Sequence, residues 1–335
     1  MEQRVLGRTN RPVSVIGLGT WQLGADWGDV SERDALDVLQ AAVESGVTFL
    51  DTADTYGDGR SERIIGRFIA GNAGQHLTVA TKMGRRVAQV PENYNLENFR
   101  AWTDRSRVNL GVERLDLVQL HCPPTAVFAS DQVFDALDTL VSEERIAAYG
   151  VSVETAGQAL TAISRPGTAT VQIIFNAFRR KPLDQVLPAA AAAGVGVIAR
   201  VPLASGLLSG RYTRDTQFAA DDHRAFNRHG EAFDVGETFS GVDYEAGVEA
   251  AQEFAALAKD GRAGANTAGA TPAQTALRWI IQQPGVTTVI PGASNAGQAR
   301  QNSAAADLPP LDQPTLDAIE NLYDKYFRAT IHSRW

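Results

Sequence analysis

About eight times along the chain, a short run of β-branched and bulky apolar residues gives way to a longer stretch of helical period. The apolar runs fall at residues 15–19, 47–51, 77–82, 115–121, 146–152, 170–175, 195–200 and 287–291. Runs of this length with no polar alternation are the pattern of strands buried on both faces, which parallel sheets require. The helical stretches between them fall at 31–45, 61–70, 96–110, 131–144, 155–163, 183–193, 244–259 and 271–282, with a last pair at 296–305 and 313–327. Eight strand-helix units predict an α/β fold, a closed (β/α)8 TIM barrel, with a doubly wound open sheet as the alternative. Ser31 is placed to cap the first helix, with Gly46 just past its end.

Three features depart from this rhythm. Residues 1–14 read as a β-hairpin about a polar turn at Thr9-Asn10. Residues 211–241 follow the seventh strand and are too long and aperiodic for an ordinary connection, so they are expected to form a mobile active-site flap ordered by ligand. Residues 260–270 are rich in Gly and Ala and read as a flexible connector. Neither interruption reads as a domain boundary, and residues 1–335 are expected to form one barrel domain. The spacing Gly194-Val195-Gly196-Val197-Ile198-Ala199 imitates a dinucleotide-binding loop, but it enters a strand instead of joining a strand to a helix, and reads as a tight turn.

Charge and cysteine content narrow the function classes. A formal net charge of −8 disfavours a nucleic-acid surface and leaves small-molecule chemistry as the expectation. Cys122 is the only cysteine, so no intramolecular disulfide can form. The start of the chain leads into no apolar signal region, and no run is long enough to span a bilayer, so a cytoplasmic location without membrane contact is expected. The five histidines show no zinc-ligand spacing, and no metal is expected.

Ionisable groups gather at the ends of successive strands: Asp51 after the second, Lys82 after the third and His121 after the fourth. In a barrel these ends face one another across the mouth, where loops carry chemistry on a rigid scaffold. Tyr56, on the loop beyond Asp51, would then lie close to the Lys82 ammonium. A cation beside a phenol favours the phenolate, so Lys82 is expected to lower the Tyr56 pKa and to sharpen it as a proton donor, with His121 orienting a carbonyl oxygen. Trp21 and Trp27 after the first strand, Tyr56 itself and Phe128 after the fourth strand could line a substrate pocket or equally anchor loops. A buried Asp-Lys pair of purely structural role is the competing reading of Asp51 and Lys82.

The motifs Gly17-Leu18-Gly19-Thr20-Trp21, Phe49-Leu50-Asp51-Thr52-Ala53-Asp54-Thr55-Tyr56-Gly57, Ser61-Glu62, Ala80-Thr81-Lys82, Asp116-Leu117-Val118-Gln119-Leu120-His121, Pro202-Leu203 with Gly206-Leu207-Leu208, and Ile290-Pro291-Gly292-Ala293 cover nearly the whole chain. Together they resemble the aldo-keto reductase superfamily. The resemblance implies a catalytic tetrad of Asp51, Tyr56, Lys82 and His121, and hydride transfer between a nicotinamide and a carbonyl or alcohol substrate, with Tyr56 as general acid or base. It implies NADP as cofactor, with NAD left open. Gly19, Thr20, Trp21 and Asp51 would line the nicotinamide end, Ser152 and Gln172 the carboxamide, and Pro202, Leu203, Gly206 and Leu208 the pyrophosphate. Gly292, Ser294, Gln298 and Asn302 would lie along the adenosine end, where Arg300 is the nearest cation. Two positions depart from the family pattern: Val153 stands where Asn is common, and Arg200 where an aromatic residue often stacks on the nicotinamide. The substrate would be an aldehyde, a ketone or a sugar-like compound. Two alternatives remain: a nicotinamide-binding regulatory subunit resembling potassium-channel β-subunits, and a Schiff-base lyase using Lys82 as nucleophile.

Overall fold

Strand periodicity of two sorts the side chains of this chain into an apolar end and a polar end of one barrel. The computed structural model describes residues 1–24, 30–259 and 269–335. A hairpin of β1 (Gln3–Val5) and β2 (Pro12–Ser14) precedes eight parallel strands: β3 (Leu18–Gly19), β4 (Phe49–Asp51), β5 (Thr78–Met83), β6 (Leu117–His121), β7 (Tyr149–Ser152), β8 (Thr168–Ile174), β9 (Gly196–Arg200) and β10 (Thr288–Val289). Each strand pairs with the next in sequence order. The sheet closes on itself where Gly17 N donates to Val289 O at 2.8 Å, Val289 N to Val15 O at 3.0 Å and Gly19 N to Pro291 O at 3.1 Å. The barrel is therefore the arrangement adopted, and the open sheet is excluded.

At the seam the first and last barrel strands meet through isolated bridges, Ile16 with Val289 and Gly19 with Gly292. A Cβ at Gly19 would come within 2.9 Å of the Ile290 carbonyl oxygen, so only glycine permits the approach.

The helices form where the apolar period places them. Those packed around the barrel are α1 (Glu32–Glu44), α2 (Arg60–Gly71), α3 (Leu96–Leu110), the short α4 (Thr125–Phe128), α5 (Asp131–Ser142), α6 (Ala156–Ile163) and α7 (Val186–Ala193). The short α8 (His223–Phe226) leads to α9 (Tyr244–Lys259), α10 (Pro272–Ile281), α11 (Ala296–Ser303), α12 (Gln313–Tyr323) and α13 (Ala329–Ile331). Ser31 caps α1 by accepting from Asp34 N, and Thr155 and Thr271 each open their helices with a complete capping box. Gly194 ends α7 in the left-handed region and hands the chain to β9, so the imitation of a dinucleotide loop is a helix-to-strand turn. Among the described residues no helix is long and apolar enough to cross a membrane.

Inside the barrel, the alternation decides what faces the axis. Phe49, Ala80, Leu117 and Ile198 pack with Leu6 and Val13 of the hairpin, which closes that end of the barrel with apolar side chains. Two residues further along the same strands, with the same inward parity, stand Asp51, Lys82, Gln119 and Arg200. Another step along β6 brings His121 to the rim. The polar end is thus the carboxyl end of the strands, and there the loops gather.

The segment 211–241, aperiodic in sequence, is folded from short pieces. It contains α8 and two 3-10 turns, Val235–Glu237 and Phe239–Gly241, and buries Asn227, Phe239 and Ser240. Asn176 Nδ2 donates to Ser240 Oγ at 2.7 Å, tying the segment to the barrel. Most of the expected connector at 260–270 lies outside the described residues.

Candidate active site

Asp51, Tyr56, Lys82 and His121 meet at one rim. Asp51 and Lys82 are 2% and 1% exposed and form an ion pair through Asp51 Oδ1. Lys82 Nζ also donates to the Thr52 carbonyl at 2.8 Å and to the Tyr56 hydroxyl at 3.4 Å, so all three of its N–H donors are used. Asp51 Oδ2 accepts from Gln119 Nε2 at 3.1 Å and from Gln172 Nε2 at 2.7 Å. The Tyr56 turn is set by local backbone bonds, Tyr56 N to Ala53 O at 3.1 Å and Ser61 N to Tyr56 O at 3.2 Å. Gly57 follows with φ +58°, and a Cβ there would meet the Gly24 carbonyl oxygen at 2.1 Å. Ser61 and Glu62 brace this turn from beneath: Thr52 Oγ1 donates to Ser61 Oγ at 2.9 Å and Thr81 Oγ1 to Glu62 Oε1 at 2.6 Å.

Burial decides the charge states. Burial raises the Tyr56 phenol above its ordinary value; Lys82 pulls it down, as expected, but does not outweigh the loss of water. Asp51 and Glu237 add to the rise, because a carboxylate nearby disfavours the negatively charged phenolate. Lys82 itself is raised; burial works against its charged form, and Asp51 and Tyr56 outweigh it. Burial, with Arg85, Lys82 and Arg200 nearby, holds His121 well below the usual imidazole range, hence neutral. Its Nδ1 is buried without a hydrogen-bond partner among the described residues. The Tyr56 ring stacks on Trp21 at 6.1 Å and meets His121 edge-on at 6.1 Å.

A cavity of about 450 Å³ runs from these residues to the start of α11. Gly19, Thr20, Trp21, Asp51, Tyr56, His121, Ser152, Gln172 and Arg200 are among the residues lining it, and so are Pro202, Leu203, Gly206, Gly292, Ser294, Gln298 and Asn302. The residues singled out by motif and strand position are thus joined by the fold in one space. Two expected members stand elsewhere. Leu208 is fully buried in the hydrophobic core and does not line the cavity. Phe128 is likewise packed in the core at the end of α4, because its helix turns the ring inward, which removes it from the substrate wall. Trp27 lies outside the described residues. Arg300 points away to Glu44 of α1, with its Nη2 3.7 Å from Oε2, while Arg211 is a cation that does line the cavity.

The loop after β9 is bent by Val201, Ala204 and Ser205, all at positive φ near 50°. Such strain in non-glycine residues, β-branched Val201 above all, is typical of ligand clamps. Arg200 at the foot of this loop does not lie free. Its Nη2 donates to Glu154 Oε2 at 3.0 Å and to the Val153 carbonyl at 3.2 Å, and Nη1 is 3.6 Å from Glu237 Oε2. Arg85 Nη2 bridges the same two carboxylates, at 3.3 Å to Glu154 and 3.0 Å to Glu237. Glu237 belongs to the 211–241 segment and lines the cavity, so this square of ion pairs ties that segment to the barrel rim.

Cys122 Sγ, Glu154 and Glu237 lie close enough to suggest a metal site. Burial pushes the thiol up to about 12, and both carboxylates are occupied by guanidinium groups, so the trio suits ion pairing and not metal binding. Gln119, Arg85, Glu154 and Glu237 join the site without having been expected from the sequence. Only Gln119 carries a local signal: it has the same parity as His121 on β6, and a polar residue at an inward position of a buried strand calls for a partner.

Residues 15–324 match the sequence model of the Aldo/keto reductase family. The uncharacterized oxidoreductase Mb2320 of Mycobacterium bovis is 34% identical over 314 residues, covering 92% of this chain and 88% of that protein. A probable voltage-gated potassium channel subunit beta of Arabidopsis thaliana is 27% identical, covering 96% of each chain. Among solved structures, the glycerol dehydrogenase AKR11B4 of Gluconobacter oxydans superposes with a TM-score of 0.77 at 28% identity, covering 97% of this chain and 95% of that one. An aldo-keto reductase of Klebsiella pneumoniae in complex with NADPH gives 0.70 at 25% identity, covering 96% of each chain. A match of this length, over the barrel and all the motifs that meet at its rim, establishes that the chain belongs to the aldo/keto reductase family.

Proposed function

We propose that the protein is an NADP-dependent oxidoreductase that interconverts a carbonyl compound and its alcohol, with Tyr56 giving or taking the proton. The observation that carries this reading is the Lys82–Tyr56 contact at the inner end of a long cavity. Because Lys82 donates to the Tyr56 oxygen, the phenol proton is left to point elsewhere, toward a ligand oxygen. Its raised pKa keeps that proton in place at neutral pH, as an acid requires. Neutral His121 can hold the same oxygen by a hydrogen bond. General acid catalysis of this kind contributes about 10²–10⁴-fold.

The residues present suit a nicotinamide dinucleotide. The cavity has the size of a cofactor site, and the strained Val201–Ser205 backbone forms one wall. Ser152 and Gln172 would hold the carboxamide; the Gln172 amide nitrogen is already committed to Asp51, leaving its oxygen as acceptor. Pro202, Leu203 and Gly206 would follow the pyrophosphate, with Arg211 supplying charge, and Ser294, Gln298 and Asn302 the adenosine end. When bound, the cofactor supplies or accepts the hydride. The NADPH complex of the Klebsiella relative supports NADP over NAD. Aldehydes, ketones and sugar-like compounds remain the substrate class, and the likeness to the Gluconobacter glycerol dehydrogenase favours small hydroxylated ones.

Tyr56→Phe tests the assignment. It should keep nucleotide affinity and lose reduction of a carbonyl panel by at least ~10²-fold; wild-type turnover at saturating NADPH would end it. The likeness to the Arabidopsis channel subunit supports a second reading, a nucleotide-binding regulatory protein. Steady turnover by the wild-type protein separates the two.

A further inference from the structure

The interior of a parallel barrel is ordinarily filled by branched apolar side chains. Gln119 breaks that rule. It is fully buried on β6, between Lys82 of β5 and Gly150 of β7 in register, and does not line the cavity, so it touches no ligand. Its amide is spent on neighbours: Nε2 donates to Asp51 Oδ2 at 3.1 Å, and Oε1 accepts from Gln172 Nε2 at 3.3 Å. Gln172 Nε2 is thereby shared between Asp51 Oδ2 at 2.7 Å and Gln119. The Asp51 carboxylate is clamped on both oxygens, by Lys82 on one and by two amides on the other.

We infer that Gln119 is a positioning residue for the reaction: by holding Asp51 Oδ2 it fixes the carboxylate that in turn holds Lys82 against Tyr56. This inference rests on the reading of Tyr56 as proton donor. Packing alone would be served by a side chain of similar volume without polar atoms, and it would not require a donor on one side and an acceptor on the other. A carboxylate held by one amide can swing about its Cβ–Cγ bond. Lys82 follows it, and the 3.4 Å contact to Tyr56 is the first to lengthen.

Two substitutions separate positioning from packing. Gln119→Met keeps the volume and removes the donor. It should lower kcat by about 10-fold or more, the worth of one hydrogen bond to a charged group, while KM and the NADPH dissociation constant stay within about twofold. Gln119→Glu places a second carboxyl beside Asp51, and two carboxyls so close share one proton. While that proton is present, the new side chain donates to Asp51 Oδ2 as the amide did. The variant should therefore approach wild-type kcat at acid pH and lose activity as pH rises and the shared proton leaves, giving a limb the wild type lacks.

The measurements are kcat and KM from about pH 5 to 9, a range that spans the titration of a carboxyl raised by a like-charged neighbour, the nucleotide dissociation constant by fluorescence, and the melting temperature, with Tyr56→Phe run beside both variants. Gln119→Met with wild-type kcat, or Gln119→Glu with a pH profile parallel to wild type, overturns the assignment even if the melting temperature falls. If Gln119→Met does not fold, the pH dependence of Gln119→Glu decides alone. An active Tyr56→Phe overturns the Tyr56 reading and this inference with it; an inactive Tyr56→Phe beside unaffected Gln119 variants overturns only the inference.

Discussion

The Lys82 ammonium sits between the Asp51 carboxylate and the Tyr56 hydroxyl, ion-paired to the first and 3.4 Å from the second. One charge therefore has two duties, neutralising a buried carboxylate and accompanying a phenol on the cavity wall, and substitutions can divide them.

Lys82→Met leaves Asp51 buried without its counter-ion. Such broken pairs typically cost about 3–5 kcal/mol of stability, and turnover should be lost as well. Adding Asp51→Asn removes the stranded charge, so the double variant should regain most of the stability and none of the activity. Denaturant unfolding and carbonyl reduction, measured on the same preparations, check both halves. Recovery of turnover in the double variant would deny Lys82 any part in the chemistry.

Asp54 gives the fold a pH dependence of its own. Burial, with Glu62 nearby, raises its carboxyl from 3.8 to about 7, against the pull of Arg86 and Arg105, and Oδ1 has no hydrogen-bond partner among the described residues. A carboxyl whose pKa is higher folded than unfolded favours the fold while protonated. Stability from this group is greatest below about 4 and declines as pH rises to about 7, by a few kcal/mol. Asp54→Asn should flatten that decline between about pH 5 and 7. Melting temperatures over this range are the measurement, and parallel curves for the two proteins would place the titration elsewhere.

Glu237 is the charged tie between the 211–241 segment and the rim. Glu237→Gln strands Arg85 and Arg200 beside Glu154 alone, so amides of residues 235–241 should exchange at least about 10-fold faster, since a broken buried pair costs several kcal/mol. Hydrogen exchange on wild type and variant, with and without NADPH, reads this directly. The same comparison tests the expectation that ligand orders the segment: protection in wild type should rise on nucleotide addition.

Arg300 and Arg211 should behave oppositely toward nucleotide. Arg300→Ala should leave NADPH and NADH affinity unchanged, because its guanidinium faces Glu44 on the outside. Arg211→Ala should weaken NADPH binding by about 10- to 150-fold, as expected for a charge-assisted contact with phosphate. Dissociation constants at one ionic strength are the check, and a loss confined to Arg300→Ala would reverse the assignment.

The barrel is legible in the sequence because its signals are local. Apolar runs of strand length, the Ser31 cap and the Gly46 stop each act within a few residues, and each expected element stands within a few residues of its place. The rim residues are legible because strand parity and motif order put Asp51, Lys82 and His121 on one side. What escapes depends on partners distant in sequence. Arg85, Glu154, Arg200 and Glu237 belong to four separate loops or strand ends, and no periodicity relates them. The net rise of the Tyr56 pKa escapes for a related reason: a nearby cation is visible in a sequence, but the exclusion of water around the phenol is a property of the whole fold. Phe128 leaves the substrate wall because a residue shortly after a strand need not face the mouth, and here the short α4 helix turns it into the core.

The seam that closes the barrel joins Val15 and Gly17 to Val289, and Gly19 to Pro291. A growing chain makes the first side of that seam long before the second exists. Until residue 289 has left the ribosome, β3 has a neighbour only in β4, and its other edge is a row of unpaired amides and carbonyls of the kind that recruits foreign strands. The β1–β2 hairpin is already available to cover the apolar floor at that stage, but nothing of the hairpin pairs with the open flank of β3. The nascent protein therefore carries an aggregation hazard at β3 whose remedy, β10, is made about 270 residues later. Chains stopped before β10 should be held by chaperones, and chains stopped just after it should not.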